Sequence, residues 1–271
     1  MITRRAFVAA MAAGIRRPFA FSFKGYPGWA LERAFAVTAG LGYTGVELFE
    51  PGKLDAREVN GLARRHRLPV VAIMEDLRLT GDGARYEAQL EASCRLAARV
   101  GRPVVETVVG GKPEEWEALR SQFAERLKGW ARIGERHGVD VAIKAHVGSA
   151  LHRAEDAAGL CREVGSRRLR VNYDYSHMQL QGWELEPTLR AALPYVAMIH
   201  IKDWTGTRER YRFALPGKGS IDYGAYAALL DRVGYRGPIV VEVSTHVLQE
   251  AGYDPEAAAR FVAERVGPRF R

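Results

Sequence analysis

Val171-Asn-Tyr-Asp-Tyr-Ser-His-Met178 and Met198-Ile-His-Ile-Lys-Asp-Trp204 both open as apolar, β-type runs and close on polar residues. Residues two apart in a strand share a face. Asn172 and Asp174 therefore point one way, as do His200 and Lys202. His177 follows Asp174 by three residues, just past the strand, where a loop can turn it back over the strand end. Two further runs fit the same reading. Val139-Asp-Val-Ala-Ile-Lys-Ala-His146 puts Lys144 and His146 on one face, and Pro238-Ile-Val-Val-Glu-Val-Ser244 does so for Glu242 and Ser244. The gaps are 30 residues from Lys144 to Asp174, 26 from Asp174 to His200 and 42 from His200 to Glu242. Each is about one strand, one helix and two short loops. Four consecutive βα units would thus carry polar residues to the C-terminal ends of parallel strands, where α/β barrels keep their chemistry.

Outward from this stretch the alternation continues. Strands are predicted at 18–23, 44–49, 69–75, 103–109, 139–146, 168–175, 195–203 and 238–244. Helical patterns fall at 29–41, 55–66, 84–100, 113–136, 152–164, 184–193, 222–233 and 254–265. Asp55, Asp222 and Asp254 read as N-caps, and Pro113-Glu-Glu as an acidic first turn. Gly42, Gly101, Gly138, Gly165 and Gly234 stand just past helix ends, where a left-handed residue is wanted. Eight such units predict a (β/α)8 TIM barrel of class α/β, a single domain over 18–271. A doubly wound sheet is the alternative, but no Gly-rich first turn follows 18–23. The longest irregular stretch, Trp204–Ser220, is too long for a plain connection and reads as a substrate loop or lid.

Composition narrows the class. The chain has 271 residues, a net charge of +8 and 47% hydrophobic residues, ordinary for a globular protein. Its basic residues are spread along the helices with no Lys/Arg tract, so a nucleic-acid patch is not indicated. The charge fits either an Arg-heavy surface or an anionic ligand. No segment is long enough to span a membrane. Cys94 and Cys161 lie in helical patterns without metal-like spacing and read as small buried hydrophobes. Residues 1–17 form a separate segment. Thr3-Arg4-Arg5 before an Ala-rich run resembles a twin-arginine export signal, although the apolar run is short. The other reading is a short helix capping the barrel, so the chain is either cytoplasmic or exported.

Gly42-Tyr-Thr-Gly-Val-Glu-Leu48, Asp174-Tyr-Ser-His177, His200-Ile-Lys-Asp203, Gly217-Lys-Gly-Ser-Ile-Asp222 and Val241-Glu-Val243 occur in this order. Together they resemble the xylose isomerase-like barrels called sugar phosphate isomerases/epimerases, which include inosose dehydratases and, more distantly, endonuclease IV. The resemblance covers residues 18–265. It implies a divalent metal held by Asp174, His200 and Glu242, with His177 as a substrate contact. Lys144 stands where the family has a strand-five glutamate, one of its two acid/base groups and a metal ligand.

The side chains themselves support that expectation. One imidazole and two carboxylates suit Mn²⁺, Mg²⁺, Zn²⁺ or Fe²⁺ and leave positions open for substrate oxygens. The competing reading is an ion-pair network in which Lys144 and Lys202 neutralise the carboxylates. Lys144 reads as a base or Schiff-base former if its pKa is depressed, or as a cation replacing the metal's charge. His146 is a candidate for the missing ligand or a substrate contact. Lys202, Glu47, Glu106 and Trp204 are candidates to line the pocket, and Phe23, Trp29 and Phe49 to form an apolar platform for a sugar ring. His66 and His137 end helices and read as charges on the helix dipole.

The expected activity is metal-dependent isomerisation or epimerisation of a keto-sugar or related polyol through an enediolate. Glu242 is the expected base, partnered by Lys144 or His177. An inosose-dehydratase-like lyase and a non-catalytic sugar-binding barrel are the alternatives. An endonuclease would need histidines on the early strands, and strands two to four have none. The expected partner is a small sugar or polyol, with no nucleic acid and no membrane; a homo-oligomer is left open. A fusion of residues 1–25 to a reporter exported only by the twin-arginine route separates the two readings of the N-terminus. Export that is abolished when Arg4 and Arg5 become Lys identifies a signal, and a wild-type fusion that stays in the cytoplasm identifies a barrel cap.

Overall fold

The computed structural model describes residues 17–270. The Thr3-Arg4-Arg5 segment lies outside these residues. Eight strands close a parallel barrel: β1 (Phe19–Ser22), β2 (Gly45–Phe49), β3 (Val70–Met74), β4 (Val104–Val108), β5 (Val141–Lys144), β6 (Leu169–Asp174), β7 (Val196–Ile201) and β10 (Ile239–Val241). Their order is β1-β10-β7-β6-β5-β4-β3-β2. This is the (β/α)8 barrel that the alternation predicts. The connecting helices are α1 (Leu31–Gly40), α2 (Ala56–His66), α3 (Gly83–Arg99), α4 (Trp116–His137), α5 (Ala154–Val164), α7 (Leu185–Ala192), α8 (Tyr223–Arg232) and α10 (Pro255–Arg265). Short helices α6 (Tyr175–Leu180) and α9 (Thr245–Leu248) follow β6 and β10. No helix among the described residues is long and apolar enough to cross a membrane.

The chain packs as two compact units. The first comprises the residues up to Phe49, Asp55–Val71 and His200–Arg271. Here β1 pairs with β2 and β10, and Ser22 is in register with Glu47. The core is aromatic. Phe19 stacks on Tyr43 with centroids 5.2 Å apart, and on Phe270 at 6.0 Å. Asp55, Asp222 and Asp254 accept the first backbone N–H groups of α2, α8 and α10, as N-caps should.

The second unit comprises Glu50–Leu54 and Ala72–Ile199. Strands β4, β5 and β6 run in parallel register, with Val108 opposite Lys144 and Lys144 opposite Asn172. The β-branched residues Val105, Val141, Ile143 and Val171 of these strands are buried, as parallel strands under helices must be. Phe123, Leu127 and Trp130 of α4 supply the covering layer. Gly138 and Gly165, at φ of +66° and +71°, end α4 and α5 in the left-handed region that a side chain would strain.

Three boundaries differ from expectation. Strand β5 stops at Lys144, because the chain turns at His146–Ser149, so His146 lies beyond the strand rather than sharing a strand face with Lys144. Strand β10 stops at Val241, and Ser244 caps α9 by accepting the Val247 N–H. His177 sits on α6 rather than in a loop.

The stretch read as irregular contains an antiparallel hairpin, β8 (Asp203–Gly206) with β9 (Tyr211–Ala214). Asp203 is fully buried at its base and accepts N–H groups from Gly217 at 2.7 Å and Ile221 at 3.2 Å. Burial lifts the Asp203 carboxyl above its ordinary range, and these backbone donors pull part of the way back. Gly219 has no room for a side chain: a Cβ would lie 2.6 Å from Asp203 Oδ1 and from the Trp204 carbonyl oxygen. Gly219→Ala is expected to destabilise the protein by about 1–3 kcal/mol, an overpacking cost. Denaturant unfolding measures it, and limited proteolysis should cut faster within 204–220.

Candidate active site

In the first unit a polar chain runs through the interior. Glu47 on β2, His200 on β7 and Glu242 just past β10 are 0%, 0% and 8% exposed. His200 Nε2 lies 2.8 Å from Glu47 Oε1 and Nδ1 lies 3.1 Å from Glu242 Oε2, so the tautomer decides which carboxylate receives the N–H. Lys202 Nζ donates to the same Glu242 oxygen at 2.8 Å. Lys24 Nζ, in the turn after β1, stands 3.8 Å from Glu242 Oε1. Removing such groups from water costs several kcal/mol per ion, and only mutual hydrogen bonding offsets it. Lys202 Nζ also lies 4.8 Å from the Phe213 ring centroid, a cation over an aromatic face.

This donor set fits a divalent cation. Buried carboxylate–imidazole groups that include Glu47 with His200, and Glu242 with His200, could hold a metal ion. Glu47 Oε2 is buried with no hydrogen-bond partner among the described residues, as is Ser22 Oγ on the neighbouring strand. A buried anionic oxygen without a donor is costly, so a cation or a donated proton would suit it.

The second unit has its own buried network. Asn172 Nδ2 donates to Glu106 Oε2 at 2.9 Å. Lys144 Nζ lies 4.0 Å from Asp174 Oδ2, with both side chains almost fully buried. Asp174 Oδ1 accepts from Ser176 Oγ at 2.6 Å and from the Ser176 N–H at 3.1 Å, which caps α6. His177 Nδ1 accepts the Val147 N–H at 3.3 Å, so its proton is on Nε2, 3.5 Å from Asp174 Oδ2. His146 places its ring 3.9 Å from that of His177, and its Nδ1 bonds the Val147 carbonyl at 2.6 Å.

The structure therefore joins Glu47, His200, Lys202 and Glu242 in one unit, and Lys144, His146, Asp174 and His177 in the other. Glu47 and Glu106, candidates to line the pocket, are both buried. The candidate aromatics Phe23 and Trp29 both pack against Tyr26. Phe23 meets Phe35 edge-on, Trp29 stacks on Tyr26 under the Arg33 guanidinium, and Trp204 is half-buried on β8. Phe49, 5.9 Å from Lys24 Nζ, adjoins the charged chain. His66 and His137 do end α2 and α4, where each bonds a glutamate, Glu32 and Glu91. Lys24, Ser22 and Phe213 were not singled out from the sequence. Ser22 ends the first strand in register with Glu47, a signal that strand alignment alone would have supplied.

A family model described as xylose isomerase-like TIM barrel matches residues 35–265. The chain is 25% identical over 181 residues to a 2-oxo-tetronate isomerase of Cupriavidus necator, covering 64% of this chain and 67% of that protein. It is 25% identical over 178 residues to an inosose dehydratase of Geobacillus thermodenitrificans, covering 59% and 57% respectively. The structure of an L-ribulose 3-epimerase aligns with a TM-score of 0.77 over 94% of each chain at 19% identity, a likeness of fold.

Glu75, just past β3, was also missed. It is 6% exposed and accepts from Gln89 Nε2 at 2.7 Å and from Ser93 Oγ, both on α3. Burial raises its pKa, and these two donors offset only part of the rise. A raised carboxyl pKa contributes stability that is present below the unfolded value and lost as pH rises through the folded one. Glu75→Gln does not titrate there. Its melting temperature relative to wild type is therefore expected to climb as pH increases from about 4 through the raised pKa. A flat difference across that range would contradict this.

Proposed function

Because the chain belongs to the xylose isomerase-like TIM barrel family, we propose that it is a metal-dependent isomerase or epimerase of a keto-sugar or related polyol. The observation that carries this reading is Glu242: a buried carboxylate past the last barrel strand, held by the Lys202 ammonium and 3.1 Å from the His200 imidazole. Asp174, His200 and Glu242 are the proposed metal ligands. When bound, a divalent ion supplies a Lewis acid that polarises a carbonyl or hydroxyl. Glu242 takes the proton from the carbon next to the substrate carbonyl, and Lys144 or His177 returns one. Lys202, already directed at Glu242, keeps that carboxylate oriented. His146, Lys202 and Trp204 are the proposed substrate contacts.

A lyase would begin with the same proton removal and differ in expelling a hydroxyl as water. The similarity to an inosose dehydratase is what keeps that reading in view. Assays of ketoses and inososes in deuterated water separate the two. Deuterium incorporation next to the carbonyl with formation of an isomeric sugar is expected. Loss of water from an inosose would assign a lyase, and no exchange with any compound would leave a sugar-binding barrel. His200→Ala should also strip bound metal and abolish metal-dependent thermal stabilisation, since a ligand of the native state stabilises by mass action. Stoichiometric metal in that variant would remove His200 from the ligand set.

A further inference from the structure

We infer that Glu47 is a positioning residue that holds the proton on His200 Nε2, so that Nδ1 is the nitrogen offered to the metal. The inference rests on the metal reading proposed above. A metal-binding histidine gives one nitrogen to the ion and donates its other N–H, usually to a carboxylate or carbonyl that fixes tautomer and ring orientation. His200 has a carboxylate on each side, Glu47 at Nε2 and Glu242 at Nδ1, so two assignments compete.

Their surroundings are unequal. Glu242 has the Lys202 ammonium at 2.8 Å and Lys24 at 3.8 Å, so its charge is met without the histidine. Glu47 is fully buried, its Oε2 has no hydrogen-bond partner among the described residues, and Oε1 is bonded to His200 Nε2 at 2.8 Å. Moving the proton to Nδ1 would leave two carboxylate oxygens of Glu47 buried without a donor. That is the costly arrangement, because a charged acceptor stripped of its partner loses the full desolvation term. The Nε2–H therefore belongs to Glu47, and Nδ1 faces Glu242 as a lone pair. Glu47 supports the site without being one of its ligands.

The test uses the full chain. In ¹⁵N-histidine-labelled protein loaded with Zn²⁺, His200 should show a protonated Nε2 and a coordinated Nδ1. This measurement needs no variant. Mn²⁺ affinity, from titration and from metal-dependent thermal shift, should fall about 10–100-fold in Glu47→Leu, the usual cost of losing an outer partner. Glu47→Gln retains an acceptor oxygen and should restore affinity to within a few-fold of wild type. Coordination through Nε2 would overturn the inference. So would wild-type affinity in Glu47→Leu, or an equal loss in both variants. Absence of Mn²⁺ uptake by the wild-type chain would overturn the metal reading itself, and the positioning role with it.

Discussion

An imidazole held between two carboxylates, all three out of water, sets the terms for the first unit. Glu47 and His200 come from two separate strands and Glu242 from just past a third, and the one imidazole stands 2.8 Å and 3.1 Å from the two carboxylates. In a low-dielectric interior such a chain is stable only when complete. Removing any member strands a charge, whereas a surface ion pair of the same composition would contribute little. The strands must therefore stop at lengths that keep these atoms within about 3 Å of one another. The stacked Phe19, Tyr43 and Phe270 give β1 and β2 the rigid footing that this demands.

Much of the architecture is legible in the amino-acid sequence. Runs such as Val70-Val-Ala-Ile-Met74 alternate with amphipathic stretches ended by glycine, and helix caps at Asp55, Asp222 and Asp254 formed as read. Period and capping are local properties, so a sequence displays them. The failures came where tertiary contacts decide. The two-residue period predicts His146 on the strand, but the backbone turns at Val147, where the Ser149 N–H bonds back to the His146 carbonyl. Glu47 and Glu75 look alike in sequence. One bonds an imidazole on a distant strand, and the other bonds Ser93 and Gln89 on the next helix. Separations of 153 and 14 residues leave no periodic trace.

The second unit shows how a lysine is accommodated at the end of β5. Lys144 lies within ion-pair range of Asp174, and Ser176 binds the other oxygen of that carboxylate twice. The His177 imidazole is steered by a backbone donor from Val147, the turn that follows Lys144. One short segment, Lys144–Val147, thus determines both the charge near Asp174 and the tautomer of His177. A carboxylate at position 144 would alter that charge balance while leaving the turn intact.

The consecutive residues Lys202 and Asp203 face different duties. Lys202 grips Glu242, and Asp203 gathers the backbone of Gly217 and Ile221 beneath the hairpin. The hairpin is thereby anchored at its root, while its tip at Thr207–Arg210 is exposed. Such an arrangement is modular. The tip can be lengthened, shortened or rewritten over generations without loosening the root, and so without tilting the carboxylate next door. Sequence change at the tip is in this way uncoupled from the buried charges below.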